Sequence, residues 1–171
     1  TIDPNETAGE LGPRLGRLGA ALVKEELLAY LDGRTTPTPQ PSEGVTLARL
    51  LEKKDALLSF GLAARAVHDH ARGMHPWPGA ETTLSGARLR VHRTAVAHDE
   101  GTLGEPGTVL AVRAEGLEVA CARGSVLLVE LQLDGGRAMR ASELVRGRPI
   151  ALGSRLGSVG AGDGHQRGGA T

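Results

Sequence analysis

The chain has 171 residues, and its 20 lysines and arginines are matched by 20 aspartates and glutamates, so its formal net charge is +0. No global field marks it as a polyanion binder, and any such contact must come from local clusters. Aromatic residues make up only 2%, which leaves Leu, Val and Ala to build the core, and the sole cysteine, Cys121, excludes an internal disulfide. Cys121 falls in an apolar stretch and reads as a small buried hydrophobe. No Cys/His spacing fits a zinc site, and no metal is expected. No apolar run nears the ~20 residues that span a bilayer, so a cytoplasmic chain without a membrane partner is expected. Position 1 is Thr rather than Met. The opening residues read as a connection entering a helix, which fits a fragment, a processed chain or a wrongly assigned gene start.

Thr7 and Glu10 have the spacing of a capping box. Leu11, Leu15, Leu18, Leu22, Leu28 and Leu31 then recur at near-helical intervals, and Gly33 supplies the stop. Pro13 and three interior glycines predict a kinked or separate first turn. The apolar stripe of this helix needs a surface to cover it. Residues 34–44 carry three alternating prolines, a composition that favours an extended, semi-rigid spacer. Val45 to Lys54 forms a short amphipathic segment whose flank, Lys53 and Lys54, is basic.

Leu62 to Arg72 reads as a second helix. His75-Pro76-Trp77-Pro78-Gly79 follows, with the chain's only Trp between two prolines. Each proline fixes its own φ and biases the preceding residue toward extended geometry, making a stiff corner between helix and sheet. Two roles are open to Trp77, a plug in the core beneath the corner or a surface for stacking. A lone Trp most often packs, so the core role is expected.

Downstream, Glu81 to Leu84, Ala87 to Val96, Thr108 to Val112, Leu117 to Ala122 and Ser125 to Leu133 read as strands separated by glycine turns. Ser85-Gly86 predicts a tight turn. Ala141 to Arg146 reads as a short helix. From Gly153 the chain is Gly-rich with little to bury, and a disordered tail is expected. The fold class is therefore mainly β with flanking helices, built around a small, nearly closed antiparallel barrel.

No catalytic constellation is present: neither a Gly-x-Ser-x-Gly, nor a phosphate-cradling loop, nor His-Glu-x-x-His. His68 and His70 fall two apart on a helix, where side chains diverge. The functional candidates are Arg88, Arg90 and Arg93, with His92, on one barrel strand. Such a row can neutralise phosphates without reading sequence, and small barrels often take single-stranded or irregular RNA. An ordinary solvent face is the other reading.

The order of motifs resembles that of methionyl-tRNA formyltransferases. The likeness is carried by residues Asn5 to Leu11, by Thr36 to Thr46, and by His75 to Ala80. Pro106-Gly107-Thr108-Val109-Leu110, Leu131-Gln132, Met139, Ala141 and Gly147-Arg148 continue it in the same order. The resemblance implies a Rossmann-like formyl-transfer domain joined through a linker to an OB-fold-like C-terminal domain. On that pattern residues 1–32 are the last helix of the catalytic domain, 33–55 the linker, 56–156 the OB-fold-like domain and 157–171 a tail. The family transfers a formyl group from 10-formyltetrahydrofolate to the amino group of Met on initiator tRNA. Its catalytic Asn, His and Asp precede the first residue here. No catalytic role can therefore be carried onto this chain, and no cofactor is expected to be bound by it. What carries over is binding of initiator methionyl-tRNA by Arg88, Arg90, Arg93, Lys53 and Lys54, around the structural corner Pro76, Trp77, Pro78 and Gly79, in a monomer. Ala56 to Phe60 and Leu47 depart from the pattern, the latter standing where an aromatic is common. A stand-alone RNA-binding barrel and the C-terminal domain of another folate-dependent formyltransferase are the alternatives.

Overall fold

The computed structural model describes residues 1–157. Its first element, α1 (Ala8–Leu31), starts as the sequence predicts: Thr7 accepts from the Glu10 N–H, and the Glu10 carboxylate accepts from the Thr7 N–H. The helix continues unbroken through Pro13. Pro13 forfeits one i→i−4 bond near the helix start, and the turns on either side stay intact. Residues 33–52 run exposed without regular structure. A 3₁₀ turn (Lys53–Ala56) and α2 (Ala64–Met74) lead to the sheet.

The sheet comprises β1 (Ala80–Leu84), β2 (Ala87–His98), β3 (Val109–Val112), β4 (Leu117–Ala120), β5 (Ser125–Leu133), β6 (Met139–Arg140) and β7 (Leu156–Gly157). Its order is β3-β4-β5-β2-β1-β7, all pairs antiparallel, with β6 added beside β5. The β1–β2 turn is made by Ser85 and Gly86, both at positive φ (51° and 77°), the pairing a two-residue hairpin requires. The two ends of the sheet meet: Val109 donates to Ser154, and Leu156 donates to Gly107, each at 2.8 Å. The expected small barrel is thus borne out, with α2 and α3 (Ala141–Gly147) packed on it.

The strand after Gly153 is a correction to the expected tail. Glycines there do not prevent pairing, because the segment pairs through its main chain and buries a single apolar side chain, Leu156. Beyond Gly157 the expected tail lies outside the described residues.

The core collects Leu58, Phe60, Val67, Leu89, Val91, Leu117, Val119, Val126, Leu128, Leu131, Leu144 and Leu156 around the inner sheet face. Cys121 belongs to the same cluster, and burial pushes its thiol up to about 11. β4 is buried on both faces, which places Glu118 inside at 2% exposure. Burial raises its carboxyl, but the hydrogen bonds donated by Ser125 (2.7 Å) and Arg113 outweigh that and hold it below its ordinary value.

Candidate nucleic-acid interface

The indole of Trp77 is 58% exposed, which corrects its expected place in the core. The buried positions flanking the corner are Ala71 and Ala80, both small, and Phe60 is the aromatic that enters the core instead. Ring-locked prolines on either side turn the indole outward. Both His75–Pro76 and Trp77–Pro78 are cis.

On the sheet side, hairpin register places Arg90 opposite Glu81 and Arg88 opposite Thr83. Leu89 and Val91 point inward, Arg88 and Arg90 outward, as alternation demands. Arg88 reaches diagonally to the Glu81 carboxylate. Arg90 enters none of the ion pairs among the described residues, and neither does Lys53. Lys53, Pro76, Trp77, Pro78, Arg88 and Arg90 surround one open recess of about 560 Å³, with Ala56 and Glu81 completing its wall.

Two of the sequence candidates lie elsewhere. Lys54 is paired with Glu52 at 2.8 Å. Arg93, counted by alternation from Val91, would face the core, but register shifts on both sides of it break the count and turn it out. There it is ion-paired with Glu10. That pair belongs to a polar junction that fixes the start of the chain to the barrel. His68, 1% exposed, holds Pro4 and Thr94 at 2.9 and 2.8 Å. Because the Pro4 carbonyl only accepts, Nε2 donates to it, and Nδ1 pairs with the Thr94 hydroxyl. Arg72 donates to the Glu6 carbonyl at 3.1 Å, and the Gly9 N–H donates to the His75 carbonyl at 3.0 Å. His75 sits edge-to-face with His92, their centroids 5.8 Å apart. Burial, with the nearby charge of His92 and Arg93, lowers the His75 imidazole below its ordinary value. His70 donates to the Asp55 carbonyl at 2.6 Å, so the two helix histidines hold separate partners. Among the described residues, no group of three or more His, Cys, Asp or Glu could hold a metal. No helix among them is long and apolar enough to cross a membrane.

Glu81, which anchors Arg88, was absent from the sequence candidates. The signal for it existed: counting back through a two-residue turn sets residue 81 against residue 90.

Past its first turns, α1 leaves Leu15, Leu18, Leu22, Val23, Leu28, Tyr30 and Leu31 exposed. Leu22, Val23, Leu27 and Tyr30 line an apolar groove of about 370 Å³.

Comparison with known proteins matches residues 50–149 to the family described as formyl transferase, C-terminal domain. The methionyl-tRNA formyltransferase of Myxococcus xanthus (strain DK1622) is 46% identical over 154 residues, 90% of this chain and 48% of that protein. That of Sorangium cellulosum (strain So ce56) is 41% identical over 157 residues, 91% of this chain and 50% of that protein. The chain therefore spans about half the length of the curated relatives it matches. Among solved structures, a variant of HypX from Aquifex aeolicus superposes with a TM-score of 0.60 at 18% identity, covering 84% of this chain and 26% of that one. HypX from Aquifex aeolicus in complex with tetrahydrofolic acid gives 0.53 at 20% identity, covering 72% and 22%. Both likenesses concern the fold alone.

Proposed function

Because the chain belongs to the formyl transferase C-terminal domain family, we propose that it is the tRNA-holding part of a methionyl-tRNA formyltransferase. The parent enzyme moves a formyl group from 10-formyltetrahydrofolate to the amino group of Met on initiator tRNA, in the cytoplasm and as a monomer. The chemistry resides in residues outside this chain, and no residue here is assigned to folate. Residues 1–32 end the catalytic domain, 33–55 link it, and 56–156 form the RNA-binding barrel. The open apolar face of α1 favours this over a stand-alone module, since a helix with that stripe is stable only when another surface covers it.

The observation that carries the proposal is the recess shared by Lys53, Arg88, Arg90 and Trp77. Three cations around one recess can replace condensed counterions on an RNA backbone, which makes binding salt-dependent. Lys54 and Arg93 extend the basic surface on other sides. Both already hold carboxylates: the exposed Lys54–Glu52 pair yields to a phosphate at little cost, while Arg93 keeps Glu10 and offers a phosphate its remaining N–H groups. Titration of initiator tRNA at several salt concentrations tests the proposal. Affinity falls with salt in the intact chain, and Arg90→Ala flattens that dependence by about one unit of slope. Binding that ignores salt and survives both Arg88→Ala and Arg90→Ala unchanged would rule it out.

A further inference from the structure

Phosphate neutralisation leaves one part of this recess unused, the indole of Trp77. An indole this exposed keeps much of its apolar surface in water. Its backbone is fixed by prolines on both sides, so little freedom is lost when something settles on the ring. In a chain with 2% aromatic residues, the largest apolar ring stands beside Lys53, Arg88 and Arg90 instead of in the core.

Along its length a duplex keeps its bases stacked inside and offers this ring only backbone and groove edges. An unpaired nucleotide offers a flat base for the indole and a phosphate for the cations. The charge is also scaled to a short contact: three cations face one carboxylate, Glu81, which already holds Arg88. We propose that Trp77 is a stacking platform for an unpaired RNA base, with Lys53 and Arg90 taking the adjoining phosphates. This deepens the tRNA reading above and rests on it.

Trp77 is the chain's only Trp, so its emission reports this site alone. The 171-residue chain is titrated with a single-stranded RNA tetranucleotide and, separately, with a long RNA duplex whose ends are few beside its length, at matched nucleotide concentration. The single strand quenches Trp77 and the duplex does not. Trp77→Ala weakens single-strand binding by about tenfold, in line with ~1–3 kcal/mol per stacked base. Trp77→Phe retains most of the affinity. The site is exposed, so both variants fold, as far-ultraviolet circular dichroism checks.

Equal quenching by the duplex would overturn the proposal. So would single-strand binding that Trp77→Ala leaves unchanged while Arg90→Ala weakens it, a result that spares the phosphate contacts and removes the stack. Failure of both RNAs and of initiator tRNA to bind at low salt would remove the RNA reading as a whole. A blue shift on anionic lipid vesicles with no response to RNA would assign the ring to a membrane surface and equally overturn it.

Discussion

Glu10, in the first turn of α1, is ion-paired with Arg93 of β2, 83 residues further along the chain. The same carboxylate accepts the Thr7 N–H at 2.9 Å. One side chain therefore caps the helix and fastens it to the barrel. Arg93 holds the Glu10 carboxyl down at about 2, helped by the Thr7 N–H and hydroxyl.

A pH dependence follows from that depression. A carboxylate with a lowered folded-state value stabilises the folded state fully above its ordinary value of 4.5 and loses that contribution as pH falls through about 2. Protection of the α1 amides, taken as exchange relative to the intrinsic rate at each pH, is expected to be high at pH 6 and to fall as pH is lowered through this window. Arg93→Ala should move the Glu10 titration, followed by carbon-13 NMR, part of the way back toward its ordinary value. An unmoved titration would mean that the pair does not form in solution.

Gly9 and Gly16 lie two turns apart on α1 and should respond oppositely to alanine. A Cβ on Gly9 would lie 2.8 Å from Pro76 Cδ, whereas one on Gly16 meets nothing within 4 Å. Gly16→Ala gains helix propensity and should stabilise α1 by up to ~1 kcal/mol. In Gly9→Ala the clash, of the ~1–3 kcal/mol order typical of overpacking, cancels or exceeds that gain. Limited proteolysis near residue 10 compares them, with faster cleavage expected for Gly9→Ala.

His68→Leu keeps much of the buried volume but leaves the Pro4 carbonyl and the Thr94 hydroxyl without their partner. Thr94 is half-buried and Pro4 exposed, so the cost is expected at the low end of the ~1–3 kcal/mol of an unpaired buried group. Urea unfolding should show a lower midpoint with an unchanged slope. A midpoint within error of the parent would mean that water replaces the imidazole.

Gly124 has φ +75°, and a Cβ there would collide with the His98 carbonyl. Its N–H donates to Gly101 at 2.7 Å and its carbonyl accepts from Cys121, so the backbone has no room to move. Gly124→Ala is expected to destabilise the barrel by more than the ~1 kcal/mol of an ordinary left-handed glycine. A thermal melt checks it.

Much of the barrel was legible because its signals are local. The Thr7/Glu10 spacing, the Ser85-Gly86 turn and the alternation from Arg88 to Val91 each need only a few neighbouring residues. Alternation failed at Arg93, where a break in register has no signature in residue type. The exposure of Trp77 was missed because a ring's preference to pack says nothing about the direction in which a rigid backbone points it. The docking of the first ten residues was also hidden. Its contacts pair Pro4 with His68 and Glu10 with Arg93, polar partners far apart in the chain. Hydrophobic periodicity does not register them, and by that measure the helix has nothing to attach to.

Pro76 abuts Gly9 through one edge of its ring and is followed at once by the outward-facing indole. The seat of α1 and the heading of the indole are thus set by adjacent residues of one stiff segment. Inserting a single residue between Pro76 and Trp77 would separate the two: α1 would keep its contact with Pro76 while the indole lost the proline that precedes it.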